Sequence, residues 1–220
     1  IFFQFFGQTE APMVITHLKK ADHDLSKPER LASCGKPVPW MHVTLLDSDG
    51  NPAGPGESGE ICVRGPLVMN GYKDLPEETA EALAGDWLHT GDVGRFDDEG
   101  FLYIVDRTKD MVITGGFNVF PREVEDVISQ HAAVNTVMVI GVPDVKWGEA
   151  VKAVVVLQPG ESPSDELTAE LQAMVKSAKG SQQAPKSIDY VDTLPLTAVG
   201  KLDKKSVRAR YWDDAARSVS

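Results

Sequence analysis

The chain has 220 residues, enough for one large domain or two modest ones, and its 42% hydrophobic and 25% charged residues are ordinary for a globular protein. Its formal net charge of −11 argues against nucleic acid as a partner, because binding a phosphate backbone needs an excess of Lys and Arg. The apolar start at 1–6 is too short to span a bilayer and has no basic flank, so we predict no transmembrane segment. It is typical of an interior strand, which indicates that an N-terminal portion of the same chain is missing.

The sequence contains two cysteines, Cys34 and Cys62, and their separation matches no metal-ligand spacing. We interpret them as buried or half-buried thiols in a reducing compartment, which favours a cytoplasmic location.

Short strands separated by Gly, Pro and Asp dominate the first half of the chain. Alternating or β-branched runs predict strands at 41–46, 59–64, 93–96 and 101–105, and an acidic segment predicts a helix at 76–83. The last two strands flank a four-residue loop, as in a hairpin. For residues 1–106 we predict a distorted, antiparallel, barrel-like sheet.

The second half, residues 107–220, mixes strands with helices and predicts a small α+β domain. Helical spacing or a leading proline predicts three helices, which start at Pro121, at Ser164 and at Lys204. Apolar and β-branched runs predict four strands, at 111–114, 134–140, 151–157 and 187–191.

Five short motifs stand out, and each has a simple local interpretation when it is taken alone. Residues 7–10 could open a capped helix, 59–65 could be strand and turn, and 90–92 could be an Asx-type turn. Asp106-Arg107 could be a surface ion pair of little energetic value, and Gly200-Lys201 could be a solvated loop.

The order of the motifs is more specific than any one of them. The five motifs, taken in chain order, are Phe6-Gly7-Gln8-Thr9-Glu10, then Gly59-Glu60-Ile61-Cys62-Val63-Arg64-Gly65, then Trp87-Leu88-His89-Thr90-Gly91-Asp92-Val93-Gly94-Arg95, then Asp106-Arg107-Thr108-Lys109-Asp110 together with Gly115-Gly116-Phe117-Asn118-Val119-Phe120-Pro121-Arg122-Glu123-Val124-Glu125, and last Pro195-Leu196-Thr197-Ala198-Val199-Gly200-Lys201. This series resembles the adenylate-forming superfamily of acyl-CoA synthetases, peptide-synthetase adenylation domains and luciferases. The resemblance runs from Phe6 to about Trp212.

The resemblance implies that the first half binds ATP or AMP with Mg²⁺. In the segment that contains Gly7 and Gln8, it implies that Phe6 faces the adenine and Thr9 donates a hydrogen bond to phosphate. It also implies that Glu10 holds Mg²⁺, a hard cation that prefers oxygen ligands.

The resemblance further implies a ribose site and three functional positions in the small domain. Asp92 would accept hydrogen bonds from both ribose hydroxyls, with Arg107 nearby. Lys109 would be the hinge about which the domain moves. Lys201 would bridge the attacking carboxylate and the α-phosphate, and Gly115-Gly116 would line a tunnel for the pantetheine arm of coenzyme A, unless they simply form a turn.

Three interpretations of the chain remain open. The first is part of an acid–CoA ligase of the fatty-acid or aryl-acid kind, with a fatty acid preferred as the substrate. The segment 116–123 resembles those ligases, and 180–186 resembles a subset of bacterial medium- or long-chain ligases. The second is an adenylation enzyme that loads a carrier protein. The third is an inactive fragment, because no Gly-rich phosphate-binding loop occurs in these 220 residues. A luciferase-like oxygenase is disfavoured, because Ile113 stands where that group has a second lysine.

Overall fold

The computed structural model describes residues 2–47 and 49–218, with side chains up to Trp212. It divides into two units, Ile1–Thr108 and Lys109–Ser220. Within the described residues, none of the helices combines the length and the hydrophobicity that crossing a membrane requires.

The described residues of the first unit form two antiparallel sheets and one α-helix, α1, at Pro76–Ala82. The three-stranded sheet has the order β1-β2-β3, formed by Gln4–Gln8, Ala11–Leu18 and Lys36–Pro37. The four-stranded sheet has the order β4-β5-β6-β7, formed by His42–Leu46, Gly59–Arg64, Leu88–Phe96 and Leu102–Arg107. The predicted antiparallel arrangement is confirmed, but the described strands form two open sheets and do not close into a barrel.

One hydrophobic core joins the two sheets of the first unit. Ile15 of β2, Ile61 of β5 and Leu102 of β7 are fully buried in it. Burial of such side chains stabilises a fold by roughly 1.5–3 kcal/mol each, so this cluster fixes how the two sheets pack.

The second unit has a sheet with helices on both faces, and the predicted α+β class is confirmed. Its strands are β8 to β12, at Val112–Thr114, Phe117–Val119, Val134–Asp144, Gly148–Leu157 and Ser187–Tyr190. Its helices are α2 to α4, at Pro121–Ile128, Asp165–Lys179 and Lys204–Ser218. The sheet order is β10-β11-β8-β9, and β12 pairs parallel to β11.

Burial on both faces explains the long apolar runs of β10 and β11. Val137 and Val139 face a core that is completed by α2 and α3. Met138 and Ile140, which alternate with them, face a second cluster that contains Val207 of α4. A strand covered on both sides cannot alternate apolar and polar residues, and this produces the continuous hydrophobic pattern.

Candidate functional site

The motif at residues 6–10 forms a tight β-hairpin. Gln8 of β1 pairs with Ala11 of β2, which leaves Thr9 and Glu10 as the two turn residues. The interpretation of this segment as a capped helix is therefore wrong: strand pairing with residues up to Leu18 decides the local structure. A Cβ added at Gly7 would lie 2.9 Å from the Met13 carbonyl oxygen, so the close approach of the two strands requires glycine here.

The hairpin leaves the two polar side chains of its turn wholly or partly accessible and buries the aromatic ring before it. Thr9 is exposed and Glu10 half-buried, whereas Phe6 is 8% exposed and packs in the core. The Tyr72 hydroxyl donates a hydrogen bond to Glu10 Oε1 at 2.8 Å. This bond raises the pKa of Tyr72, because losing its proton would place two negative charges side by side. The carboxylate at Glu10 suits a hard divalent cation. The adenine contact of Phe6 stays a prediction.

Asp92 and Arg107 lie on neighbouring strands. They are paired residues in the register of β6 and β7, and Arg107 Nε lies 3.2 Å from Asp92 Oδ1. The Asp92 side chain is 12% exposed and that of Arg107 is 57% exposed. A carboxylate has two acceptor oxygens and can accept hydrogen bonds from a pair of neighbouring hydroxyl groups. The two residues predicted at the ribose thus lie together.

A hydrogen-bonded network holds the part of β6 that leads to Asp92 in place. The Gly91 N–H donates to Glu60 Oε1 at 2.9 Å, and His89 Nδ1 lies 2.8 Å from Glu60 Oε2. The Cys62 thiol lies 3.5 Å from the same His89 nitrogen. The segment 90–92 is part of β6 and not an isolated Asx-type turn.

Glu60 and His89 have a supporting role that sequence reasoning missed. In the sequence, Glu60 falls in a strand-and-turn motif and His89 in the motif that contains Asp92, and neither pattern assigns them a role. Strand register brings them together, since β5 and β6 pair with Cys62 opposite His89. A spacing of 29 residues carries no such signal by itself.

In the second unit, Gly115 and Gly116 form the turn between β8 and β9, with φ angles of +57° and +83°. The Trp147 indole packs on Gly115, where an added Cβ would lie 2.6 Å from Cε3. At Gly116 an added Cβ would have no atom within 4 Å among the described residues. The turn therefore has one face covered by an aromatic ring and one open face.

Lys201 lies on an exposed loop just before α4. The Thr197 N–H donates to the Lys201 carbonyl at 2.6 Å, and the Lys201 N–H donates to Thr197 Oγ1 at 3.1 Å. Gly200, with φ +78°, completes the tight turn. Within the part of the chain that the structure describes, the Lys201 ammonium forms no ion pair. The backbone is fixed while the side chain remains available.

Lys109 lies in a short 3₁₀ turn, Thr108–Asp110, and is exposed. The division between the two units falls directly before it, two residues after the boundary expected from the sequence.

Comparison with known proteins agrees with this architecture. Residues 1–73 match the family of AMP-binding enzymes, and residues 123–201 match the AMP-binding enzyme C-terminal domain. The chain belongs to this adenylate-forming family.

Three relatives illustrate the range of that family. The chain is 58% identical to a medium/long-chain-fatty-acid–CoA ligase of Mycobacterium tuberculosis, over 100% of this chain and 38% of the relative. It is 36% identical to a fatty acid–[acyl-carrier-protein] ligase of Streptomyces coeruleorubidus, over 100% of this chain and 41% of the relative. The amide bond synthetase McbA of Marinactinospora thermotolerans superposes with a TM-score of 0.83 at 39% identity, over 95% of this chain and 42% of McbA. The chain thus spans about two fifths of the length of the curated relatives it matches.

Proposed function

We propose that this chain is the C-terminal portion of an AMP-forming acid–CoA ligase. The complete enzyme would activate a carboxylic acid as an acyl-adenylate with release of pyrophosphate, and would then transfer the acyl group to CoA. A fatty acid is the substrate class that we infer, supported by the 58% identity to a fatty-acid–CoA ligase over the whole chain. The two free, buried cysteines are consistent with action in the cytoplasm.

The observation that best supports this proposal is the pairing of Asp92 with Arg107. Two separate motifs predict these residues at the ribose of the nucleotide, and Arg107 Nε lies 3.2 Å from Asp92 Oδ1. The Glu60 hydrogen bond to Gly91 orients the same part of β6. A preorganised carboxylate holds a ribose without the cost of reorganising when the nucleotide binds.

In the first half-reaction the protein's task is to stabilise charge that develops on phosphate oxygens. Thr9 would donate a hydrogen bond to phosphate, and Glu10 would be the ligand for Mg²⁺, which neutralises phosphate charge when bound. Lys201 would approach the α-phosphate and the attacking carboxylate. A long, flexible ammonium suits a group that is needed for one step of two.

In the second half-reaction the open face of the Gly115-Gly116 turn would border the pantetheine arm of CoA. Without side chains, the backbone can lie close to a slender ligand. The phosphate-binding loop and most of the acyl pocket are expected from the upstream part of the enzyme. We therefore expect no acyl-CoA formation by these 220 residues alone.

The test is Lys201→Ala in the complete ligase. We expect ATP–pyrophosphate exchange to fall by roughly 10²–10³, the typical cost of removing one transition-state contact. Thioester formation from a supplied acyl-adenylate should be retained. Lys205→Ala is the matched control, because Lys205 is also exposed and lies one residue inside α4. An exchange rate unchanged by Lys201→Ala would refute the proposed role.

A second candidate is an enzyme that loads an acyl-carrier protein, and the relative from Streptomyces coeruleorubidus favours it. The two functions share adenylation and differ in the acceptor thiol. Offering the complete enzyme CoA or a phosphopantetheinylated carrier, and measuring the ratio of kcat/KM values, separates them. A strong preference for the carrier would replace our first proposal with the second.

A further inference from the structure

Glu149 contacts both segments that carry the functional loops of the second unit. Its Oε1 accepts a hydrogen bond from Arg208 Nη2 of α4 at 2.7 Å. Its Oε2 accepts one from the Ile113 backbone N–H of β8 at 3.3 Å. Since α4 begins three residues after Lys201 and β8 ends at Thr114, one carboxylate connects the elements next to Lys201 and Gly115.

Strand pairing and a glycine on β10 leave space for the Glu149 carboxylate. Gly148 pairs with Thr114 where β11 meets β8, and this places the next residue, Glu149, beside Ile113. On β10 a Cβ added at Gly141 would lie 2.5 Å from Glu149 Oε2, so a larger residue there would displace the carboxylate.

On the Arg208 side of the Glu149–Arg208 ion pair, the guanidinium packs on an aromatic ring. The Arg208 guanidinium lies 5.0 Å from the centre of the Trp212 ring, and the Trp212 indole donates a hydrogen bond to the Gly141 carbonyl at 3.2 Å. Arg208 therefore has a defined position between Glu149 and Trp212. The Glu149 side chain is 17% exposed, so its charge is only partly screened by water.

A second ion pair of α4 provides a natural comparison. Lys204 Nζ lies 2.8 Å from Glu125 Oε1, and Glu125 in turn accepts the Val139 N–H of β10 at 2.7 Å. This pair joins α4 to α2 and β10, and among the described residues neither side chain forms a hydrogen bond or ion pair with β8 or with the Gly115-Gly116 turn. The link to β8 runs through Glu149.

We propose that Glu149 is a positioning residue that couples β8 to α4, so that the Gly115-Gly116 turn and the Lys201 loop hold a fixed geometry relative to each other. Losing Arg208 would leave a largely buried carboxylate without its cation, and the carboxylate would move toward water. Its hydrogen bond to Ile113 would then weaken, although Arg208 itself does not contact Ile113. The coupling does not depend on the enzymatic activity; its catalytic consequence rests on the proposed function.

Amide hydrogen exchange of the 220-residue chain tests the coupling directly. Arg208→Ala should speed exchange at Ile113 and the following turn by about tenfold, the usual effect of losing one such hydrogen bond. Lys204→Ala, on the same helix, should leave exchange at Ile113 within about twofold of wild type. Equal effects of the two substitutions, or no effect of Arg208→Ala, would overturn the coupling.

A variant that keeps a cation at position 208 distinguishes the loss of this ion pair from a general destabilisation of α4. Arg208→Lys should bring exchange at Ile113 back toward wild type, whereas Glu149→Gln, with the helix cation intact, should speed it. If Arg208→Lys and Arg208→Ala raise exchange equally, charge pairing with Glu149 is not the cause and the proposal fails.

In the complete ligase, Glu149→Ala should lower kcat for both half-reactions by about tenfold with KM for ATP and CoA unchanged, since Glu149 contacts neither substrate in our proposal. Glu123→Ala is the control, because Glu123 pairs with Lys179 at 2.8 Å on another part of the unit. Loss of one half-reaction alone would contradict the coupling. If the wild-type enzyme catalyses neither half-reaction, the proposed function fails, and the exchange experiment still decides the inference.

Discussion

Gly115 and Gly116 show how two adjacent residues of one type meet different constraints. Both have positive φ, which costs any residue with a Cβ roughly 1 kcal/mol or more. At Gly115 an added Cβ would also collide with the Trp147 ring at 2.6 Å, whereas Gly116 faces open space. The sequence predicted that both glycines matter but could not distinguish them, because the ring belongs to a residue 31 positions after Gly116.

This difference gives a matched pair of substitutions. Gly116→Ala should cost about 1 kcal/mol of unfolding free energy from backbone strain alone, and Gly115→Ala should cost about 1–3 kcal/mol more because Trp147 must move. Urea unfolding of the two variants measures the difference. Equal destabilisation would mean that the indole adjusts freely and does not support the turn.

For single residues, the sequence identified the residues that would contact the nucleotide more easily than the residues that hold functional segments in place. Asp92, Arg107 and Lys201 each belong to a short motif, and motif order was sufficient to propose them. Glu60 and Glu149 act through a backbone N–H on another strand, at Gly91 and Ile113. Such contacts depend on sheet register, which no local pattern encodes.

Among the elements, helix α4 is attached to its sheet by a charged cluster. Lys152 of β11 lies 2.6 Å from Asp189 Oδ1 of β12, and the Tyr211 hydroxyl donates to Asp189 Oδ2 at 2.6 Å. Burial opposes ionisation of Asp189, but the two hydrogen bonds outweigh it and lower the pKa of its carboxyl. Burial, reinforced by the bond to Asp189, raises the pKa of Tyr211 to about 12.

Tyr211→Phe should therefore have a pH-dependent effect on stability. A tyrosine whose pKa is higher in the folded than in the unfolded chain contributes fully below its unfolded pKa of about 10, and the contribution is lost as pH rises toward its folded pKa. We expect wild type to exceed the variant by about 1 kcal/mol at pH 8, and this advantage to vanish near pH 12.

Urea unfolding of both proteins at several pH values measures this effect. Tyr103, whose pKa burial also raises to about 12, is present in both proteins and cancels in the difference. A difference that stays constant with pH would show that the hydroxyl makes no stabilising bond to Asp189.

The elements that the sequence predicted well are those with one dominant pattern. Both strands of the β10–β11 hairpin, α2 behind Pro121 and α3 behind Ser164 were anticipated, and the Ser164 side chain accepts the Leu167 N–H as an N-cap. β2 was missed because its sequence shows no period of two, in keeping with the interruption of its extended backbone at Met13, where φ is +70°. β9 was missed because three residues are too few to show a period.

For the whole molecule, the boundary between the two units falls in the short 3₁₀ turn that contains the exposed Lys109. Proline at position 109 would fix φ near −65° and remove a backbone donor. In the complete ligase, Lys109→Pro should reduce one half-reaction much more than the other, because a locked domain can serve only one of two arrangements. The ratio of pyrophosphate exchange to thioester formation is the measurement, and Lys109→Ala is the control for the lost side chain. Equal loss of both reactions would argue against the hinge.

At this scale the sequence predicts two domains and a barrel-like sheet for the first, whereas the described strands of the first unit form two open sheets. An alternating pattern specifies that a strand has one buried face; it does not specify which strands share a sheet. The division of the first unit into open sheets of three and four strands depends on contacts among distant residues such as Ile15 and Ile61.

The low reactivity of the two native thiols makes it practical to follow domain motion in this protein with fluorescent labels. Burial raises the pKa of Cys34 to about 11 and, together with the nearby Glu60 charge, that of Cys62 to about 12. Maleimide dyes react with thiolates, so both side chains should stay unlabelled at neutral pH. New cysteines at two exposed positions, Glu78 in the first unit and Glu161 in the second, would then carry a donor and an acceptor fluorophore in an otherwise unmodified background. Energy transfer between these dyes would report the distance between the units during turnover.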